Sequence, residues 1–400
     1  MRIHCAVTLA VSLVLAANAP AAVPDRNVNM VSGTGWPGGD PFLQRQNEPT
    51  VAVSTRNPLH LLAGANDYRT VDIPGLENIK VIGDAWLGVF RSYDGGNTWT
   101  STLLPGYPQD ASATGMASPL KGYPAGADPV IRAGTNGIFY YAGIVLSRDE
   151  NPLGAVFVAR YLDYNDKESS HLVEESAHSI RYVDTSLIQK GTSGQFNDKP
   201  WIAVDIPRAG SAPCTVGGET VDGGNVYLAW TVLVGGDNTI RSKMMVARST
   251  DCGATWEQPT KLSETHAINQ GASIAIDPLT GNVYVAWRRF TDGRVSNALL
   301  FAKSTDFGRT FSQAQVIRDI TPFEQGTTML SFRTTMFPSM TVDGKETLAL
   351  PKQVQRDPIK GFLEHLDLLI VKKGEKVTVE IPVHLNGEPG PDALVTVEHA

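Results

Sequence analysis

Ser92-Tyr93-Asp94-Gly95-Gly96-Asn97-Thr98-Trp99 decides how this chain is read. The pattern returns as Ser249-Thr250-Asp251-Cys252-Gly253-Ala254-Thr255-Trp256 and as Ser304-Thr305-Asp306-Phe307-Gly308-Arg309-Thr310-Phe311. Its common form is Ser-x-Asp-x-Gly-x-Thr-aromatic. An Asp carboxylate accepts hydrogen bonds from the backbone of the turn that follows it. Glycine supplies a positive φ, and the aromatic ring anchors the turn in apolar packing.

A second repeat runs out of phase with the first. Its copies start at Glu48-Pro49-Thr50-Val51, Asp128-Pro129-Val130-Ile131, Lys199-Pro200-Trp201-Ile202, Ala272-Ser273-Ile274 and Phe337-Pro338-Ser339-Met340. Each copy holds two short alternating or apolar runs joined by a polar, Gly-containing turn, the pattern of an antiparallel hairpin. The copies recur roughly every 66 to 80 residues, a period that implies stacked four-stranded units. Gly154 to Tyr161 gives the second unit a third strand, although that unit has no Ser-x-Asp turn. Five units are recognisable in an all-β chain, and no long amphipathic helix stands out.

The octapeptide resembles the Asp-box of sialidase-like β-propellers, in which it joins the third and fourth strands of a blade. The resemblance covers about residues 47–350 and implies a propeller of four-stranded antiparallel blades, six in the family. It divides the chain into a signal peptide (1–22), a lead-in (23–46), the propeller (47–350) and C-terminal strands (351–400) that close or complete the last blade. Two alternating stretches in that tail, 366–371 and 377–385, are expected to pair across 372–376.

The signal-peptide reading rests on Arg2, an apolar run from Ala6 to Ala17, and small residues up to Ala22. The run is too short to span a membrane, so the expected location is secreted or periplasmic. Cys214 and Cys252 remain in the mature chain, an even pair that implies one disulfide in an exported protein, the alternative being two free thiols. Blade topology places both cysteines on one face of the same unit. The formal net charge is -7 with no basic stripe, which argues against nucleic acid. No metal or cofactor motif is present; Asp163-Tyr164-Asn165-Asp166 is too short for a calcium loop.

In a propeller the ligand site lies at the channel mouth, on the face opposite the Asp-boxes. The starts of the first strands and the 2–3 turns place Glu48, Asp67 and Asp128 there as candidate catalytic carboxylates. Arg69, Asp198, Lys199, Gln270, Arg288, Arg289 and Arg333 are the candidate ligand contacts. Such a set suits a hydroxyl-rich ligand. Sialidases hold their substrate carboxylate with an arginine triad, yet the matching first-unit position is Glu48. The last tyrosine is Tyr284, ahead of where the family's nucleophile stands. Asp67 lies near the position of the family's acid/base Asp. The sequence therefore points to a monomeric, secreted propeller that binds or acts on a glycan or other polar small ligand, with sialidase-type exo-glycosidase activity undecided. The alternative is a non-catalytic propeller for protein or peptide binding or cell-surface adhesion.

Overall fold

The computed structural model describes residues 28–31, 46–69, 84–147, 154–165, 179–192, 194–235, 240–263, 267–291, 294–321 and 336–342, and the backbone of strands 348–356 and 363–371. The signal-peptide segment, Arg333 and residues 372–400 lie outside them.

The first blade comprises β1 (Asn47–Val53), β2 (Leu61–Asp67), β3 (Trp86–Ser92) and β4 (Thr100–Leu103). After a short helix α1 (Ala113–Ala117), the second has β5 (Ala125–Ala133), β6 (Ile138–Leu146), β7 (Gly154–Asp163) and β8 (Ile180–Lys190). The third contains β9 (Gln195–Val204), a small hairpin of β10 (Cys214–Val216) and β11 (Glu219–Val221), then β12 (Val226–Val234), β13 (Arg241–Ser249) and β14 (Thr260–Lys261). The fourth holds β15 (Asn269–Ile276), β16 (Val283–Arg289), β17 (Ala298–Ser304) and β18 (Gln315–Asp319). Each blade is an antiparallel meander in chain order. β5 packs on β1, β2 and β3; β9 on β5, β6 and β7; β15 on β9, β12 and β13. Successive sheets thus stack face to face around the first strands, which is the propeller arrangement.

The sequence explains this stacking. A second strand has a neighbouring sheet on each side, so it is apolar on both faces rather than alternating. β6, Ile-Phe-Tyr-Tyr-Ala-Gly-Ile-Val-Leu, is buried at every position. Trp230 and Trp287 are fully buried, and their indole N–H groups donate to the Asn197 and Asn269 side chains at 3.0 and 2.8 Å. Those asparagines belong to the first strand of the same blade, so each Trp ties its hairpin together.

The three Ser-x-Asp turns join the third and fourth strands of blades one, three and four. In the first, Asp94 accepts from the Thr98 amide at 2.9 Å and the Thr98 hydroxyl at 2.6 Å, and the Ser92 hydroxyl accepts from Gly96 N–H at 2.8 Å. The turns at Asp251 and Asp306 repeat these bonds. The turns of blades three and four are also gripped by the preceding blade. Arg160 donates to the Cys252 carbonyl at 3.0 Å, and Arg248 to the Phe307 carbonyl at 2.9 Å. The Tyr227 hydroxyl donates to that same Phe307 carbonyl at 3.0 Å. Gly308 combines a φ of 81° with close approach of Tyr227, so a Cβ there would be both strained and obstructed.

Cys214 and Cys252 form a disulfide. It anchors a connection, residues 205–225, that touches every other described blade. Glu219 pairs with Arg56 of blade one at 2.6 Å; Gly217 and Asp222 carbonyls accept from Tyr164 and Thr135 of blade two; Arg208 donates to the Asp277 carbonyl of blade four at 2.9 Å.

Residues 336–342, where the sequence repeat expects a fifth unit, lie against the first strand of blade four. Met340 N–H donates to the Ser273 hydroxyl at 3.2 Å, as Ile131 N–H donates to Thr50 at 3.0 Å between blades one and two. In the tail, β19 (Leu348–Arg356) pairs with β20 (Leu363–Val371), while 377–385, the partner expected for 366–371, lies outside the described residues. Strands separated by a few residues close at low entropic cost, which favours this local pairing. Among the described residues, the β19–β20 sheet shares no ladder with the blades. Of the lead-in, Met30 and Val31 pack against Ala63, Ala65 and Phe90 of blade one. No helix among the described residues is long and apolar enough to cross a membrane.

Two outcomes are expected. Replacing both Cys214 and Cys252 by Ser should cost about 2–4 kcal/mol in chemical unfolding. Hydrogen bonds from the Thr310 hydroxyl and amide, then from Ser304, hold the Asp306 carboxyl far below its ordinary range. A depressed folded pKa stabilises above the unfolded value, about 3.9, and that stabilisation fades as pH falls. Unfolding of Asp306→Asn should therefore be less acid-sensitive below pH ~4 than unfolding of the parent.

Candidate functional site: the channel mouth

The first strands of all four blades carry the same irregularity. Their ladders slip at Asn47/Thr50, Ala127/Val130, Asp198/Trp201 and Gln270/Ser273. The residue placed in each bulge adopts positive φ: Glu48 at 53°, Asp128 at 56°, Lys199 at 47° and Gly271 at 74°. Only the last is glycine. A non-glycine residue held in this region costs on the order of 1–3 kcal/mol, and such strain clusters where side chains must be aimed. Here it turns three ionisable side chains from three consecutive blades toward one another.

They meet as a bonded group. Lys199 Nζ lies 3.4 Å from Glu48 Oε1 and 3.7 Å from Asp128 Oδ1, and the Lys199 backbone N–H donates to Asp128 Oδ2 at 3.1 Å. Gln270 donates to Asp198, extending the chain of contacts to blade four. Glu48 remains 40 % exposed and Lys199 26 %, so the group is open to solvent on one side. Burial, followed by the neighbouring Asp128, pushes the Glu48 carboxyl above its ordinary value despite Lys199. Burial disfavours the Lys199 ammonium, but Asp128, Glu48 and Asp198 outweigh it and raise its pKa. The mouth therefore pairs an easily protonated carboxyl with a firmly charged ammonium.

Four other residues singled out in the sequence are tied up in contacts of their own. Asp67 and Arg69 are fully buried, with Arg69 Nε donating to both Asp67 oxygens at 3.0 and 2.9 Å and Arg69 NH2 to the Thr102 carbonyl at 2.8 Å. Their charges are spent on each other inside blade one. Arg288 is buried, its guanidinium 4.0 Å from the Phe290 ring centroid, and donates to Asn297 at 3.2 Å and to the Met336 carbonyl at 3.5 Å. Arg289 donates to the Ser296 carbonyl at 3.1 Å. Asn66, by contrast, belongs to the mouth. It donates to Asn47 at 2.8 Å and accepts from Asp128 N–H at 2.8 Å. Its place at the end of a second strand, beside the bulge, was the signal for it. Among the described residues, no group of three or more His, Cys, Asp or Glu is placed to hold a metal ion.

No family model matches the chain. Part of it is 61% identical over 59 residues to the large ribosomal subunit protein bL25 of Thermobifida fusca, covering 15% of this chain and 30% of that protein. A further 69-residue match at 57% identity is to its Streptomyces coelicolor counterpart, covering 17% and 35%. The chain thus spans about a third or less of the curated relatives it matches. Among solved structures, it is similar to an alpha-L-arabinofuranosidase of Fusarium graminearum in complex with arabinobiose, at 12% identity and TM-score 0.42, covering 70% of this chain and 69% of that one. It is also similar to a sialidase from Streptococcus pneumoniae, at 13% identity and TM-score 0.34, covering 82% and 61%.

The raised carboxyl gives a signed expectation. A folded pKa above the unfolded one makes Glu48 favour folding below pH ~4.3 and oppose it as pH rises through the folded value. Glu48→Gln should remove that loss, stabilising the protein at neutral pH by a few tenths of a kcal/mol after solvent screening. Unfolding followed between pH 4 and 8 checks it.

Proposed function

We propose that this chain is an exported propeller protein that binds a carbohydrate at the channel mouth, on Glu48, Asp128, Lys199, Asp198 and Gln270. The observation that carries this reading is the run of Glu48, Asp128 and Lys199 in strained left-handed bulges, cross-bonded yet open to solvent. Carboxylates, an ammonium and an amide in one group offer the fixed donors and acceptors that sugar hydroxyls require. The Cys214–Cys252 disulfide supports an oxidising compartment, in keeping with the leader read from residues 1–22.

In its hydrolytic form, an exo-glycosidase on the sialidase-like fold that uses a carboxylate pair in place of the family's tyrosine nucleophile, Glu48 gives its proton to the leaving glycosidic oxygen. Asp128 acts as the partner carboxylate that takes a proton from the attacking water. A turnover and binding assay on a panel of glycosides, including a sialoside, tests both forms. Turnover lost in Glu48→Gln and Asp128→Asn supports the enzyme. Binding without turnover, weakened about tenfold or more in both variants, supports the non-catalytic propeller. Neither binding nor turnover by folded protein would sink the carbohydrate reading.

The ribosomal match favours a second reading for the tail. The stretches flanking the four blades are residues 1–46 and 320–400. If the 59-residue match spares the blades, it fits only the latter and includes 342–378. The β19–β20 hairpin then belongs to a bL25-like unit that follows the blades, not to a closing blade. Such a unit would bring a contact with the large ribosomal subunit. Co-sedimentation of the full chain with large subunits, abolished by deleting 343–400, is the expected result; equal sedimentation of both forms counts against it.

A further inference from the structure

The second strands of blades one, three and four end in residues that occupy one register position, opposite the residue before the bulge: Asn66, Thr231 and Arg288. Asn66 and Thr231 reach the first strand of the next blade, and Arg288 reaches the segment at Met336 beyond blade four. The Thr231 hydroxyl donates to the Asn269 carbonyl at 3.2 Å, and Arg288 donates to the Met336 carbonyl. These are bonds onto backbone. In blade two the position is Ile144, which is apolar and buried.

Asn66 differs because an amide carries a donor and an acceptor on one rigid plane. Its Nδ2 donates to Asn47 Oδ1 at 2.8 Å and to Glu48 Oε2 at 3.4 Å, while its Oδ1 accepts from the Asp128 backbone N–H at 2.8 Å. It is only 7% exposed. One side chain therefore touches both bulges that carry the mouth carboxylates, from the side opposite solvent. Lys199 spans the same two carboxylates from the third blade.

We propose that Asn66 is the positioning residue of the mouth, holding the Glu48 and Asp128 bulges at a fixed separation so that both carboxyl groups face one ligand. This rests on the carbohydrate-site reading for its purpose, but the geometric claim is independent of any ligand. Of the charged groups around Glu48, Asp128 comes from β5 and Lys199 from β9, so a fixed separation makes the titration of Glu48 sensitive to the Asp128 charge. Loosening Asn66 lets the two carboxyl groups drift apart and uncouples them.

The test is a double-mutant cycle read by carbon-13 NMR titration of the Glu48 side-chain carboxyl in the full chain. Near-ultraviolet circular dichroism reports the fold. Asp128→Asn should lower the Glu48 midpoint in the parent, and this change should shrink by at least half in an Asn66→Ala background. An Asp128 effect of the same size in both backgrounds overturns the proposal. Should Asn66→Ala fail to fold, Asn66→Ser carries the same cycle, since its short hydroxyl cannot span both bulges. Because the readout needs no sugar, a negative glycan panel with a positive cycle would reject the carbohydrate reading alone. A positive panel with a null cycle would reject the role of Asn66 alone.

Discussion

A four-stranded sheet with two apolar faces is stable only between two neighbours, and this constraint governs the molecule. β6 is buried at every residue because blade one covers one face and blade three the other. Burial is non-directional, so it stacks the sheets without setting their angle or height. Direction comes from polar bonds made at both ends of the stack. At one end the Arg160 and Arg248 guanidiniums and the Tyr227 hydroxyl grip the carbonyls of the next blade's turn. At the other, Asn66, Asp128 and Thr231 make bonds from one blade to the next around the mouth.

The two ends carry different burdens. The Ser-x-Asp turns satisfy themselves: hydroxyl, carboxylate and amides close a small circuit that leaves the Asp ionised and occupied. They are fasteners. The mouth bulges leave Glu48 and Lys199 partly solvated and strained, which a fastener would not need. That contrast separates the two faces chemically, although both are rich in Asp.

Much of the architecture was legible in the residues. Alternating and apolar runs named the strand pairs, and the octapeptide set the register of third and fourth strands in blades one, three and four. The cysteines were readable because topology placed Cys214 and Cys252 on one face of the same unit, where they bond. Side-chain direction at the mouth was less legible. Asp67 and Glu48 sit at neighbouring strand ends, and nothing in their spacing tells which one turns inward. Gly88 leaves room beside the Asp67 carboxylate, and Arg69 two residues on folds back to meet it. The decisive property of Glu48, a left-handed backbone ahead of Pro49, is conformational and is not written in residue type. In the tail, alternation identified a strand at 366–371 but not the upstream partner that β19 supplies.

The connection at 205–225 has a consequence for the order of assembly. It leaves blade three, yet its bonds end on blades one, two and four. Its anchor, Cys252, lies 38 residues beyond Cys214. During synthesis or export, therefore, the strap cannot settle when its own residues emerge. It must wait for the Ser-x-Asp turn of its own blade and for the Asp277 region of the next. Blades one and two can stack early, but the final seating of the strap is a late, long-range event that reports on all four blades at once. Contacts of this kind slow folding, because loop closure precedes the reward. They also make the arc stand or fall as a unit, with the disulfide tying the strap to its own blade.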